Sequence, residues 1–290
     1  MDLFLQFVAN GLVSGAFYAL SALGLTLIFG LMRVVNFAHG EFYMLGGVLG
    51  AYLTSALGID FFAALVVVAL VMGLFGYLVD RFLIERVRSQ GPEAGILLTI
   101  GISIVLANLT LLTVGPAPMN VVGVVADDPV FMGPIVLTKM RLVALAVSIC
   151  VIVGAYLLIN MTKLGAAMRA TFQDPMSAKL VGIRSDRIYG ATFALGTVLA
   201  AIAGMLLSSI YSAQASIGGL VSLKAFVVVI LGGMGSFPGA IVSGLILGVA
   251  ESLWGGYVAA GTVDVIGFAI VILVLLFRPQ GLFSLRSERV

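Results

Sequence analysis

From Ala94 to Ala126 the chain carries no charged side chain, and the same is true of Val34 to Gly40, Phe42 to Ile59, Leu142 to Thr162 and Val265 to Phe277. No other feature limits the fold as much. Soluble domains carry about a quarter charged residues, whereas here the share is 10%, beside 61% hydrophobic. Lipid is therefore the solvent for most of the surface. A helix needs roughly 20 apolar residues to cross the hydrocarbon core. Backbone groups at that depth must bond within their own helix or around a closed barrel. Barrel strands alternate in polarity over about 10 residues, and these runs do not alternate. The sequence thus predicts an all-α fold, a polytopic membrane helix bundle of about eight to ten transmembrane helices with discontinuous or re-entrant segments.

Residues 1–290 are expected to form a single transmembrane domain, with candidate spans at 8–32, 42–58, 61–79, 95–114, 141–160, 189–210, 222–235, 238–255 and 264–277. The start has neither a basic leader nor a small-residue cleavage site, so its first apolar stretch reads as a retained span. The basic residues cluster: Arg81, Arg86 and Arg88; then Lys163, Arg169, Lys179, Arg184 and Arg187; then Arg278, Arg286 and Arg289. Arg33, Lys139, Arg141 and Lys224 lie apart. The positive-inside rule puts the three clusters in the cytoplasm, two and four spans apart. The amino end then lies outside, the carboxyl end inside, and segment 115–140, with Asp127 and Asp128, forms an external loop. The lone Cys150 sits in an apolar run and reads as a small packing residue.

The chain has 36 glycines, many in would-be helices where each costs about 1 kcal/mol. Membrane helices accept that cost because small residues let backbones approach closely. Gly11/Gly15, Gly46/Gly50 and Gly244/Gly248 have the required spacing and predict packing within the bundle. A weak repeat relates 36–53 to 236–253, with Phe37/Phe237, Leu45/Leu245 and Leu53/Leu253 in register. Each copy is a break followed by a small-residue helix, and paired breaks in matching positions point to a transport site.

The first break holds Asn36, His39 and Glu41. Ionisable groups at membrane depth are costly and generally face a polar cavity. The free N–H groups of the helix that follows are suited to a carboxylate. The second break, Gly232 to Gly239, contains Ser236 and Phe237. It is not a phosphate loop, which needs Gly-Lys-Ser/Thr after a strand. Glu251 and Asp264 read as isolated acids near span ends. No Cys/His metal cluster and no catalytic triad is visible, so neither catalytic nor metal-binding residues are assigned. Segment 161–188 is the longest charged stretch. Ala166 to Thr171 favours helix, and Asp174-Pro175 opens another with Asp as cap and Pro at the first position.

Four segments together resemble the permease subunits of branched-chain amino-acid ABC importers of the LivH/LivM type: 10–47, containing NFAHGE; GAAMRATFQDPMSAKLVGI (165–183); VILGGMGSFPGAIVSG (229–244); and RPQGLF (278–283). The first motif favours the LivH-like branch. The resemblance implies a second permease chain, as hetero- or homodimer, two cytoplasmic ATPase subunits that hold ATP-Mg, and an extracytoplasmic binding protein. The chain itself is expected to bind no cofactor and no nucleic acid, and to sit in a bacterial cytoplasmic (inner) membrane. Within 161–188, Gly165, Ala166, Ala167, Arg169, Asp174, Lys179 and Gly182 become the ATPase-coupling residues. Asn36, His39, Glu41, Ser236 and Phe237 become candidates for the substrate pathway, an assignment taken from the breaks and the repeat. Urea, short amides and other small carboxylates stand as alternative cargoes. A stand-alone channel or ion-coupled carrier is the more distant reading.

Overall fold

The computed structural model describes residues 2–32, 35–123 and 128–283. Arg33, Asp127, Arg286 and Arg289, used above for topology, lie outside the described residues. The helices are α1 Asp2–Met32, α2 His39–Ala51, α3 Phe61–Val79, the short turn α4 Glu85–Val87, α5 Pro92–Val114, α6 Lys139–Met161, α7 Lys163–Gln173, α8 Pro175–Leu180, α9 Ser185–Ser208, α10 Gly218–Gly232, α11 Phe237–Tyr257 and α12 Val263–Phe277. Among the described residues, seven helical stretches are long and apolar enough to cross a membrane, and Gly218–Gly232 is a shorter apolar helix. α2 continues through a π-helical turn over Tyr52–Ala56.

Burial sorts the helices into layers. The most apolar windows of α1 and α9 are each 72% buried, against 17% for α5 and 11% for α12. α1, α2 and α9 thus form the centre, with Phe17, Leu20, Phe42, Phe193, Leu199 and Met205 fully enclosed between them. α3, α5, α6 and α12 present Leu70, Leu112, Tyr156 and Leu276 outward, as a lipid-facing shell requires. Cys150, expected inside, is exposed on α6.

Glycine sets the central crossings. A Cβ on Gly248 would meet the backbone of Gly11 and Gly15, and one on Gly11 would meet Gly248 and Val249. The first and third Gly-x-x-x-Gly motifs therefore face each other across α1 and α11. Gly46 lies against the backbone of Ala201, and Gly50 against Met205, so the second motif seats α2 on α9. Without a hydrophobic drive between helices in lipid, this close backbone packing holds the bundle.

The structure redraws three expectations. The connection with Arg81, Arg86 and Arg88 is largely helical, because α3 continues through a π turn, Asp80–Ile84, into α4. Arg88 folds back from there. It donates to buried Asp80 at 2.7 Å, lies 3.7 Å from Asp186, and stacks 4.2 Å from the Tyr189 ring centre. Segment 115–140 contains an antiparallel hairpin, β1 Pro129–Met132 and β2 Ile135–Thr138. Gly133, at φ +62°, opens its two-residue turn, as a type II′ hairpin demands. The hairpin is tied to α1 by Gln6, which exchanges two hydrogen bonds with the Val136 backbone. The span expected at 222–235 starts at Gly218 and stops at Gly232.

The charged segment forms two helices. Gly165 in α7 packs directly on the Leu158 and Ile159 carbonyls, and Arg169 donates to the Ile159 carbonyl, so the α6–α7 elbow is tight. Ala166 is exposed and Ala167 half-buried on α7. Lys179 is exposed on α8, and Gly182 leaves that helix at φ +87°. Asp174 caps α8, accepting from the Met176 and Ser177 amides at 2.9 and 3.2 Å and from the Ser177 hydroxyl. The hydroxyl first, and the amides after it, hold its carboxyl below the usual value. A depressed pKa means that the cap contributes above the unfolded carboxylate value of about 3.9 and is lost as pH falls through the folded one. Hydrogen-exchange protection of the Met176 and Ser177 amides is expected to hold level down to about pH 4 and to drop below it. Protection that already fell between about pH 7 and 5 would contradict the cap.

Candidate functional site

The first break occupies 35–38, and His39, Gly40 and Glu41 form the first turn of α2, all three buried. A buried helix start must satisfy its leading N–H groups. Three side chains do this here. The Phe37 amide donates to Thr99 Oγ1 at 3.3 Å, the Ala38 amide to Asn36 Oδ1 at 3.1 Å, and the Gly40 amide to Ser222 Oγ at 2.8 Å. The free backbone donors expected at this helix start are therefore already taken, by α5, by the break itself and by α10. A Cβ on Gly40 would collide with the Gly218 carbonyl and Ser222, and one on Gly218 with the Glu41 carboxylate. α2 and α10 thus meet start to start.

What remains unpaired is side-chain chemistry. His39 Nε2 lies 2.9 Å from the Ser21 carbonyl. A carbonyl only accepts, so Nε2 carries the proton, and buried Nδ1 has no partner. Glu41 Oε1 accepts from Ser103 at 3.2 Å, while Oε2 has no partner. Asn36 Nδ2 and Ser21 Oγ are likewise buried and unpaired. Each orphan costs about 1–3 kcal/mol. Four of them around one helix start make a polar site whose hydrogen-bonding capacity is unspent.

Beside it lies a cavity of about 200 Å³ lined by Tyr18, Ser21, Tyr43, Leu207, Val221 and Lys224, among others. Ser21 joins the two features, since it lines the cavity and its carbonyl receives His39. Lys224 donates to Glu251 Oε2 at 2.9 Å and forms an ion pair with Asp264, its Nζ lying 3.0 Å from Oδ1. Glu251 and Asp264 are therefore not isolated acids; one cation joins them. Sequence reading missed this group, although a lysine inside an otherwise apolar helix calls for a partner.

The second break is placed elsewhere. Ser236 Oγ caps α11 by accepting from the Gly239 amide at 3.1 Å. The Phe237 ring lies 6.0 Å from that of Tyr156 on α6. Gly235 packs against Gly30 and against Phe172 of α7. Gly30 is six residues beyond Gly24, which packs near His39, or about 9 Å further along α1. The tail folds onto this break, Leu282 and Phe283 donating to the Leu231 and Gly232 carbonyls. Among the described residues, no hydrogen bond or ring contact joins Ser236 or Phe237 to Asn36, His39 or Glu41. The structure groups Asn36, His39 and Glu41 at the start of α2, linked to the cavity through Ser21, and leaves Ser236 and Phe237 at the end that carries α7.

A lipid-facing shell, a core closed on glycine and a buried helix start beside a cavity define a polytopic membrane helix bundle with a polar interior site. The family model described as the permease component of the branched-chain amino acid transport system matches residues 7–275. The chain is 36% identical to the high-affinity branched-chain amino acid transport system permease protein LivH of Salmonella typhimurium, covering 97% of this chain and 96% of the relative. It is also 36% identical to the corresponding protein BraD of Pseudomonas aeruginosa, with the same coverage. The solved structure of PsaBC from Streptococcus pneumoniae in complex with Fab aligns over 95% of this chain and 93% of that one, with a TM-score of 0.51 at 17% identity. That last likeness concerns the fold alone. The chain belongs to the family of branched-chain amino acid transport permeases.

Proposed function

We propose that this chain forms part of the translocation pathway of an ATP-driven importer of branched-chain amino acids in a bacterial cytoplasmic membrane. The observation that carries the reading is the family match over residues 7–275, joined to a cavity with an aliphatic wall and both signs of charge. A branched-chain amino acid is a zwitterion with an apolar tail, and such a cavity meets both parts. ATP and its Mg²⁺ belong to two cytoplasmic ATPase subunits. A second permease chain completes the pathway, and an extracytoplasmic binding protein delivers the cargo.

In this reading α7 and α8 are the coupling segment. Met176, Leu180 and Val181 are exposed and supply an apolar surface for an ATPase. Closing of the ATPase pair moves this segment and shifts the bundle between outward and inward states by its differential affinity for them. The basic residues of 163–187 support a cytoplasmic side for it, with the hairpin and the 209–217 connection on the outside. In a Cys150→Ser background, Ser216→Cys is expected to label from outside and Lys179→Cys only from inside; the opposite pattern overturns this orientation.

The function itself is tested by radiolabelled leucine uptake into proteoliposomes, with each partner added or omitted in turn. Uptake is expected only with ATP on the ATPase side and binding protein on the other. Uptake by this chain alone makes it a channel or carrier. Binding-protein-stimulated ATP hydrolysis without leucine uptake keeps the machine and changes the cargo to an amide or another small carboxylate.

A further inference from the structure

Lys224 sits on α10 and touches carboxylates from two other helices, Glu251 of α11 and Asp264 of α12. Tyr18 of α1 closes the group, donating to Glu251 Oε2 at 2.7 Å and accepting from Lys224 at 3.2 Å. The two carboxylates differ. The Glu251 side chain is 7% exposed and held from two sides, whereas that of Asp264 is 57% exposed and held by Lys224. The cluster is thus a fixed inner ion pair with an open outer acid. It borders the 200 Å³ cavity, whose aliphatic wall includes Leu207, Ile217, Leu220 and Val221. Ser21, also in the lining, is 3% exposed and keeps its Oγ unpaired.

We infer that this cluster is a subsite for the charged head of an α-amino acid: Lys224 receives the carboxylate, Asp264 receives the ammonium, and the aliphatic wall takes the side chain. The inference rests on the importer reading and adds to it the residues that hold each pole of the cargo. A zwitterion leaving water loses hydration at both poles, and each needs a partner. Here the partners stand ready as an ion pair. Lys224 exchanges Asp264 for the cargo carboxylate, and the freed Asp264 meets the cargo ammonium. Opposite charges stay matched throughout. Glu251, anchored by Tyr18, holds Lys224 in place at the cavity while its outer partner changes. Because cargo replaces an existing contact, the net gain is small and release is easy. Urea brings no separated poles and cannot drive the exchange. From this subsite, Ser21 leads to His39 and Glu41 at the buried helix start.

The test uses the assembled importer in proteoliposomes and reads leucine imported per ATP hydrolysed. Lys224→Met is expected to lower that ratio about tenfold or more, the scale of a lost charge-assisted hydrogen bond. Lys224→Arg is expected to keep most of it. Because Lys224→Met strands buried Glu251, the double variant Lys224→Met/Glu251→Gln separates a transport role from a folding role, and it should show the same loss. Asp264→Asn, at an exposed position, should also lower the ratio. A wild-type ratio in the assembled double variant, or in Asp264→Asn, overturns the subsite and leaves the importer reading in place. Wild-type protein that imports urea and no amino acid overturns the subsite together with the amino-acid cargo, and leaves only the importer class.

Discussion

Gly248→Leu is expected to prevent the bundle from assembling. A side chain at this position points straight at the backbone of Gly11 and Gly15. Overpacking costs about 1–3 kcal/mol where neighbouring side chains can yield. Here the obstacle is main chain on the facing helix, so α1 and α11 must separate along much of their contact. In lipid that packing is the association energy itself, and no hydrophobic gain replaces it. The variant should give little monodisperse protein in detergent and a strongly lowered Tm. Gly101 on α5 is the control. A Cβ there meets nothing within 4 Å, and Leu is the better helix former by about 1 kcal/mol. Gly101→Leu should therefore melt at or above wild type. A wild-type Tm for Gly248→Leu would contradict the packing described here.

The second large effect is on transport. His39→Leu and Glu41→Ala should each reduce leucine uptake by the reconstituted importer about tenfold or more, on the scale of a lost hydrogen bond to a charged or buried group. Assembly should survive. The α2 start keeps its backbone partners Thr99, Asn36 and Ser222, and both substitutions remove orphaned atoms, Nδ1 and Oε2. Wild-type uptake in both variants would remove the first break from the pathway.

Much of this was legible in the sequence because lipid imposes simple rules. Uncharged runs located most of the spans, and their ends moved by a few residues. The Gly-x-x-x-Gly spacings foretold close crossings, but not that the first and third face each other, since partner choice is a tertiary matter. Asp174-Pro175 announced its cap because capping is local. Other features depended on contacts distant in sequence. Helix continuation past Val79 follows from Arg88 returning to Asp80 and Asp186. The hairpin at 129–138 needed its turn chemistry at Gly133-Pro134 to be weighed against an all-helical prior.

The candidate site was half visible. Asn36, His39 and Glu41 stood out as polar residues between apolar runs, and the structure gathers them. Ser236 and Phe237 were joined to them through the repeat. That repeat does relate two helix starts, but they lie at different depths along α1. The Lys224 group was missed because its members sit on three helices and Tyr18 on a fourth, with no shared motif. The signal was present in outline: Lys224 on α10 and Glu251 on α11 both sit within apolar helices, where each needs a counter-charge.

In the proposed importer, cargo passes through the cavity between Ser21 and Lys224. Cysteine accessibility tests it most directly. In a Cys150→Ser importer, Val221→Cys, in the cavity lining, should react with a charged water-soluble thiol reagent. Reaction should block leucine uptake and should slow when leucine-loaded binding protein and ATP are present. Leu112→Cys, at an α5 position 84% exposed on the outer face, should leave uptake unchanged after the same treatment. A Val221→Cys thiol that stays unreactive in every nucleotide state, or reacts without affecting uptake, would contradict the claim.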